Sequence, residues 1–245
     1  MQGPLCTSTA RLDGQTAVIT GANAGIGKIT ARDLCRRGAR VLLLCRSRDR
    51  GEAAAAEIRT ALAAYRDCGE ILVEQLDLSS LASVRACAEN LLSRLDRVHI
   101  LVNNAGVMAC PRTRTPEGFE LQLATNHLGH FLLTNLLLPL LKRAAAEPNG
   151  SARVVTVSSL AHKRGRIHWE DVNFERSRYR PFEAYGQSKL ANVLFSAELA
   201  RRLAGTRVTT YALHPGVIRS DLWRNTKQTF GIVIDLAFNC LVRFV

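Results

Sequence analysis

The sequence is short of aromatic residues, of lysine and of paired cysteines, and each shortage removes a class of reading. Phe, Trp and Tyr make up 6% of the 245 residues although 47% are hydrophobic, so the apolar content is mostly aliphatic. Aliphatic strands suit a parallel sheet buried on both faces. The seven cysteines (6, 35, 45, 68, 87, 110 and 240) include no Cys-x-x-Cys pair and no zinc-ligand spacing. A disulfide framework and a zinc site are therefore not expected, nor is any other metal site. Buried free thiols in a reducing, intracellular compartment are. His130, His162 and His168 do not stand at paired helical spacing either. Residues 1–12 carry no signal-peptide core, and no apolar run reaches the ~18 residues of a membrane span. Only five of the 33 basic residues are lysine, and the net charge is +12. The charges are scattered and no nucleic-acid motif accompanies them, so no nucleic-acid partner is expected. An arginine-rich surface suits anionic phospholipid or a phosphorylated cofactor.

What is present is a set of short motifs at the ends of strands. Gln15–Thr20 reads as a buried strand. It runs into Gly21-Ala22-Asn23-Ala24-Gly25-Ile26-Gly27, after which a helical pattern begins. Glycines there permit a tight turn and close backbone approach, and the helix N-terminus offers free N–H groups to a pyrophosphate. The spacing Gly-x-x-x-Gly-x-Gly lacks the Gly-Lys-Ser/Thr ending of a nucleoside-triphosphate loop. Asn103-Asn104-Ala105-Gly106 closes the run Ile100–Val102, and Val154–Val157 ends in Ser158 and Ser159. Tyr185 and Lys189 are four residues apart on a helical pattern, which puts phenol and ammonium on one face. An ammonium beside a phenol is expected to lower its pKa and fit it for proton transfer. Alone, this pair reads more readily as a chance surface pair.

Expected strands are 15–20, 40–45, 71–76, 100–103, 153–158 and 207–213. Expected helices are 25–37, 48–64, 80–94, 118–142 and 184–204, with Pro116 at a helix start and a bend or end near Pro139. The alternation argues one α/β domain over 1–245, a Rossmann-like doubly wound parallel sheet in three αβα layers.

Taken together, TGANAGIG, Asp77-Leu78, NNAG, NHLGHF, the serine pair, YGQSK and HPG resemble the short-chain dehydrogenase/reductase family over nearly the whole chain. The wording is most similar to the retinol dehydrogenase group of the 11/12/13/14 type. The resemblance implies a catalytic tetrad of Asn126, Ser159, Tyr185 and Lys189. Tyr185 would be the acid–base group and Ser159 would bind the substrate oxygen. Lys189 would hold the nicotinamide ribose, and Asn126 would support a water joining Lys189 to solvent. It further implies that Gly21, Asn23, Gly25, Ile26 and Gly27 line the pyrophosphate and that Asp77 and Leu78 border the adenine. Asn104, Ala105 and Gly106 would border the adenine ribose and nicotinamide side, with Pro215, Gly216 and Val217 over the nicotinamide.

NADP(H) is the expected cofactor. No acidic residue stands at the tip of the second strand, where Arg46 can pair with a 2′-phosphate, helped by Arg48 or Lys28. The implied reaction interconverts a hydrophobic alcohol and carbonyl, with retinol/retinal leading and lipid aldehydes or steroids as the alternative. Cytosolic placement or peripheral association with endoplasmic reticulum membrane, and a homo-oligomer, fit the same group. The relatives continue beyond the HPG segment into a last strand. The chain is therefore expected to lack that strand, with the apolar stretch Phe230–Val245 covering the active site, dipping into a membrane interface or left exposed. A catalytically impaired cofactor-binding or interaction protein is the competing reading.

Overall fold

The computed structural model describes residues 6–216 together with Leu222 and Thr229. Val217, Cys240 and the stretch 230–245 lie outside the described residues. The aliphatic runs form β1 (Thr16–Thr20), β2 (Arg40–Cys45), β3 (Ile71–Gln75), β4 (Ile100–Asn103), β5 (Ala152–Val157) and β6 (Val208–Leu213). They pair in parallel in the order β3-β2-β1-β4-β5-β6. Among the described residues β6 pairs only with β5, so it is an edge.

Side-chain alternation divides the core in two. Ala17, Ile19, Val41 and Leu43 face one side and pack on α1 (Gly25–Arg36) and α2 (Arg48–Leu62). Val18, Leu42, Leu44 and Val154 face the other. There they meet α3 (Leu81–Arg94), α5 (Gly129–Ala146) and α6 (Pro181–Arg202). Cys35, Cys45 and Cys87 are buried thiols, and burial pushes Cys45 up to about 11 and Cys87 up to about 12. Cys6, by contrast, is exposed.

Two helix expectations fail. The helix expected from residue 118 starts at α4 (Leu121–Leu123). Residues 116–118 instead make a turn in which the Thr115 N–H donates to the Phe119 carbonyl at 2.9 Å. The cap is Glu120, whose buried carboxylate accepts the Gln122 and Leu123 N–H groups at 2.9 and 2.7 Å. α5 also continues through Pro139 to Ala146 and does not end there. A proline in a helix interior costs about 3 kcal/mol. Complete burial of Leu133, Leu137, Leu140 and Leu141 offsets that, at roughly 1.5–3 kcal/mol per side chain.

Between α4 and α5, residues Ala124–Leu128 form a π turn, in which the Gly129 N–H reaches back to the Ala124 carbonyl. Such widened turns mark functional sites. Gly129 lets this turn press on the loop after β3: a Cβ there would stand 2.5 Å from the Leu78 carbonyl oxygen and 3.0 Å from the Leu78 Cβ. Gly129→Ala is therefore expected to destabilise the chain by ~1–3 kcal/mol through overpacking, although alanine is the better helix former. Chemical denaturation would measure this, and a stabilised variant would show that the contact yields.

Candidate active site

Ligands of doubly wound sheets lie at the carboxyl ends of the strands, where the winding reverses. Here that place is the gap between β1 and β4, and a cleft of about 420 Å³ opens there. Gly21, with φ +64°, ends β1, and a Cβ on it would stand 2.9 Å from Ala105. The Asn104 amide locks the two loops by donating to the Thr20 carbonyl at 2.8 Å. A Cβ on Gly27 would sit 2.5 Å from that Asn104 nitrogen, so Gly27 packs beneath the loops and does not line the cleft. Asn23, Gly25 and Ile26 do line it. Ala24 supplies no side-chain cap to α1, and the first turn has no acidic residue. The positive end of α1 is thus left to an anion.

Asp77, Leu78, Arg46 and Arg50 line one end of the cleft. The expected helpers of Arg46 are not there. Lys28 pairs with Glu57 of α2, and Arg48 does not line the cleft. Arg50, one helical turn beyond the Ser47 cap of α2, occupies the position instead and was missed from sequence.

At the other end Ser159, Tyr185 and Lys189 come together with Gly106, Pro215 and Gly216. The Ser159 hydroxyl faces the Tyr185 phenol closely enough to favour its ionised form, and it accepts the Ala161 N–H at 3.3 Å, capping a short 3-10 turn over Leu160–Arg164. Ser158 is committed elsewhere, donating to the Lys189 carbonyl at 2.8 Å. The first of the two serines therefore anchors α6 to β5, and the second faces Tyr185. Met108, Ala161 and Leu222 make the apolar wall around the phenol. Among the described residues no group of three or more His, Cys, Asp or Glu side chains could hold a metal ion.

Asn126 is fully buried and lies behind the cleft wall. Both Nδ2 hydrogens are used, donated to the Val107 carbonyl and the Ser188 hydroxyl at 2.9 Å each, and Oδ1 accepts the Val107 N–H at 2.8 Å. Its backbone carbonyl, in the π turn, lies 3.0 Å from His130 Nδ1.

Lys189 Nζ donates to the Val157 carbonyl at 2.9 Å and lies 5.6 Å from the centre of the Tyr185 ring. Burial lowers its pKa from 10.5 to about 8, and no carboxylate offsets this. The expected lowering of the Tyr185 pKa is not found. Burial raises it, and the Ser159 hydrogen bond opposes the rise without cancelling it. Sequence spacing brings the two groups to one face but says nothing of how much water each loses.

A charge held at such cost has a stability signature. The folded chain disfavours the ammonium below about pH 8, and the penalty is relieved as pH rises from about 8 towards 10.5. Lys189→Met should therefore raise the melting temperature of the ligand-free chain at pH 7, by at most about 3 kcal/mol of stability. The gain should shrink as pH rises above 8. Melting curves across pH check this; a variant that melts lower at every pH would contradict it.

The short chain dehydrogenase family model matches residues 15–230. Retinol dehydrogenase 12 of Homo sapiens is 54% identical over 224 residues, covering 91% of this chain and 68% of the relative. Retinol dehydrogenase 11 of Homo sapiens is 50% identical over 222 residues, covering 91% and 67%. Among solved structures, the Pseudomonas aeruginosa RhlG/NADP active-site complex is 31% identical with a TM-score of 0.67, covering 91% of this chain and 79% of that one. The 3-ketoacyl-(acyl-carrier-protein) reductase from Brucella melitensis complexed with NADH is 28% identical with a TM-score of 0.66, covering 87% and 80%. With its parallel sheet, its glycine turn at the winding reversal and these relatives, the chain belongs to the short-chain dehydrogenase family of nicotinamide-dependent oxidoreductases.

Proposed function

We propose that the chain interconverts a hydrophobic alcohol and its carbonyl with NADP(H), retinol and retinal being the leading pair. The observation that carries this is the pairing of the Tyr185 phenol with the Ser159 hydroxyl beside a buried Lys189 ammonium, within an apolar wall. The uncapped end of α1 and the two arginines suit the cofactor, since a phosphorylated dinucleotide needs positive charge at both places. A bound nicotinamide supplies or accepts the hydride. The chain's own residues manage one proton and one oxygen. In reduction Tyr185 Oη donates its proton to the carbonyl oxygen, which Ser159 polarises by donating a hydrogen bond. In oxidation the Tyr185 phenolate takes the alcohol proton.

Lys189 favours the phenolate by its charge, and water displaced from the closed cleft strengthens that field. The Asn126 carbonyl supports the water that connects Lys189 to solvent. Gly21, Asn23, Gly25, Ile26, Asp77, Leu78 and Asn104–Gly106, which line the cleft, would hold the dinucleotide. Retinal is favoured over other lipid carbonyls by the named retinol dehydrogenases at half identity or more.

Turnover of all-trans-retinal, lipid aldehydes and steroid ketones with NADPH and with NADH tests the reading. Retinal with NADPH should give the highest kcat/KM; a steroid or short aldehyde turned over faster would reassign the substrate. No turnover of any carbonyl with either cofactor would favour a binding protein. Arg46→Ala should reduce the preference for NADPH over NADH about tenfold, the scale of one charge-assisted hydrogen bond. Tyr185→Phe should lower kcat by ~10²–10⁴ with cofactor affinity kept. A Phe variant with most of its activity would show that another group moves the proton.

A further inference from the structure

His130 is fully buried, outside the cleft lining, and idle in the chemistry above. Its hydrogen bonds are nonetheless determined at both ends. Nδ1 lies 3.0 Å from the Asn126 carbonyl oxygen, an acceptor only, so Nδ1 must carry the hydrogen. Nε2 lies 2.7 Å from the Thr20 hydroxyl. That hydroxyl already accepts two backbone N–H groups, from Asn104 and from Ala105, each at 2.9 Å. With both lone pairs taken, its hydrogen must go to His130 Nε2, because the other acceptor, the Val102 carbonyl, is 3.5 Å away. The chain of bonds runs unbroken from Asn104 and Ala105, through Thr20 and His130, to the carbonyl of Asn126. Only a neutral imidazole with its hydrogen on Nδ1 completes it. The Lys189 ammonium and His127 face His130 and act with burial to keep it uncharged, lowering its pKa to about 3.

We infer that His130 is a positioning residue that ties the cofactor-side turn at Asn104–Ala105 to the π turn carrying Asn126, so that the two halves of the site keep one geometry. Two fully buried polar groups make the link, and each would be left unpaired if its partner were lost. His130→Ala removes both bonds together. His130→Asn keeps a donor near the Nδ1 position and loses the acceptor for Thr20. His130→Gln keeps an acceptor near Nε2 and loses the donor to Asn126.

The inference rests on the proposed cofactor reading, and its first readout does not need the cofactor. Amide hydrogen exchange on the ligand-free chain should speed up at least tenfold at Asn104 and Ala105 in His130→Asn and in Thr20→Val, and stay near wild type there in His130→Gln. With NADPH, His130→Asn should raise the cofactor Kd about tenfold and keep kcat. His130→Gln should lower kcat about tenfold and keep Kd. Variants that change only the melting temperature, with exchange at the two amides, Kd and kcat all as in wild type, would overturn the inference. If the His130 variants fail to fold, Thr20→Val carries the test alone: exchange at the two amides as in wild type would overturn it. Wild-type chain binding neither NADPH nor NADH would overturn the cofactor reading, while the exchange result would still decide the role of His130.

Discussion

A lysine ammonium buried in the protein with one carbonyl for company governs the rest of this site. Lys189 Nζ meets the Val157 carbonyl at the carboxyl end of β5, and no carboxylate neutralises it. Isolated charges are costly to bury and tend to lose their proton. The pKa is accordingly depressed, yet at about 8 it still leaves the ammonium dominant near neutral pH. The sheet supports this arrangement from below. Ser158 fixes the α6 backbone at Lys189, and Asn126 fixes Val107 and Ser188. The reactive end of the cleft is therefore built from a strand end, one helix and one π turn, all tied by buried hydrogen bonds.

The two ends of the cleft follow different physics. The end proposed for the dinucleotide is made of backbone: glycines that let loops touch, and a helix start with no side-chain cap. The reactive end is made of side chains in an apolar wall, where a single hydroxyl or ammonium has a large effect. On the proposed reading, glycine substitutions should therefore act on folding and cofactor fit, and changes at Tyr185, Ser159 and Lys189 on proton transfer.

Much of the fold was legible from strand composition. Val154–Val157, Leu42–Leu44 and Ile100–Val102 are aliphatic because both faces of the sheet are covered, and the six expected strands are the six observed. The placing of most motif residues along one cleft was legible too, because the glycine turn, Asp77-Leu78, NNAG, the serine pair and HPG each follow a parallel strand. What failed depended on contacts between distant segments. Lys28 is drawn off by Glu57, and Arg50 reaches the cleft by one turn of α2. Pro139 is tolerated because four leucines beside it are buried. Glu120, not Pro116, starts the helix, since a carboxylate can accept two free N–H groups. His130 stands four residues after Asn126, which places it on the same helix side. Its partner Thr20 is 110 positions away and visible only in the fold.

Burial makes Tyr185 a weak acid, and the proposed reaction requires the Lys189 charge to outweigh it when a nicotinamide cofactor is bound. The most direct measurement is a pH titration of isotope-labelled tyrosine by NMR, with the Tyr185 resonance assigned by its loss in Tyr185→Phe. In the ligand-free chain the phenol should ionise above its ordinary value of 10.0, and saturating NADP should move the ionisation below that value. A phenol that ionises below 10.0 without ligand, or one that NADP binding leaves unmoved, would contradict the account.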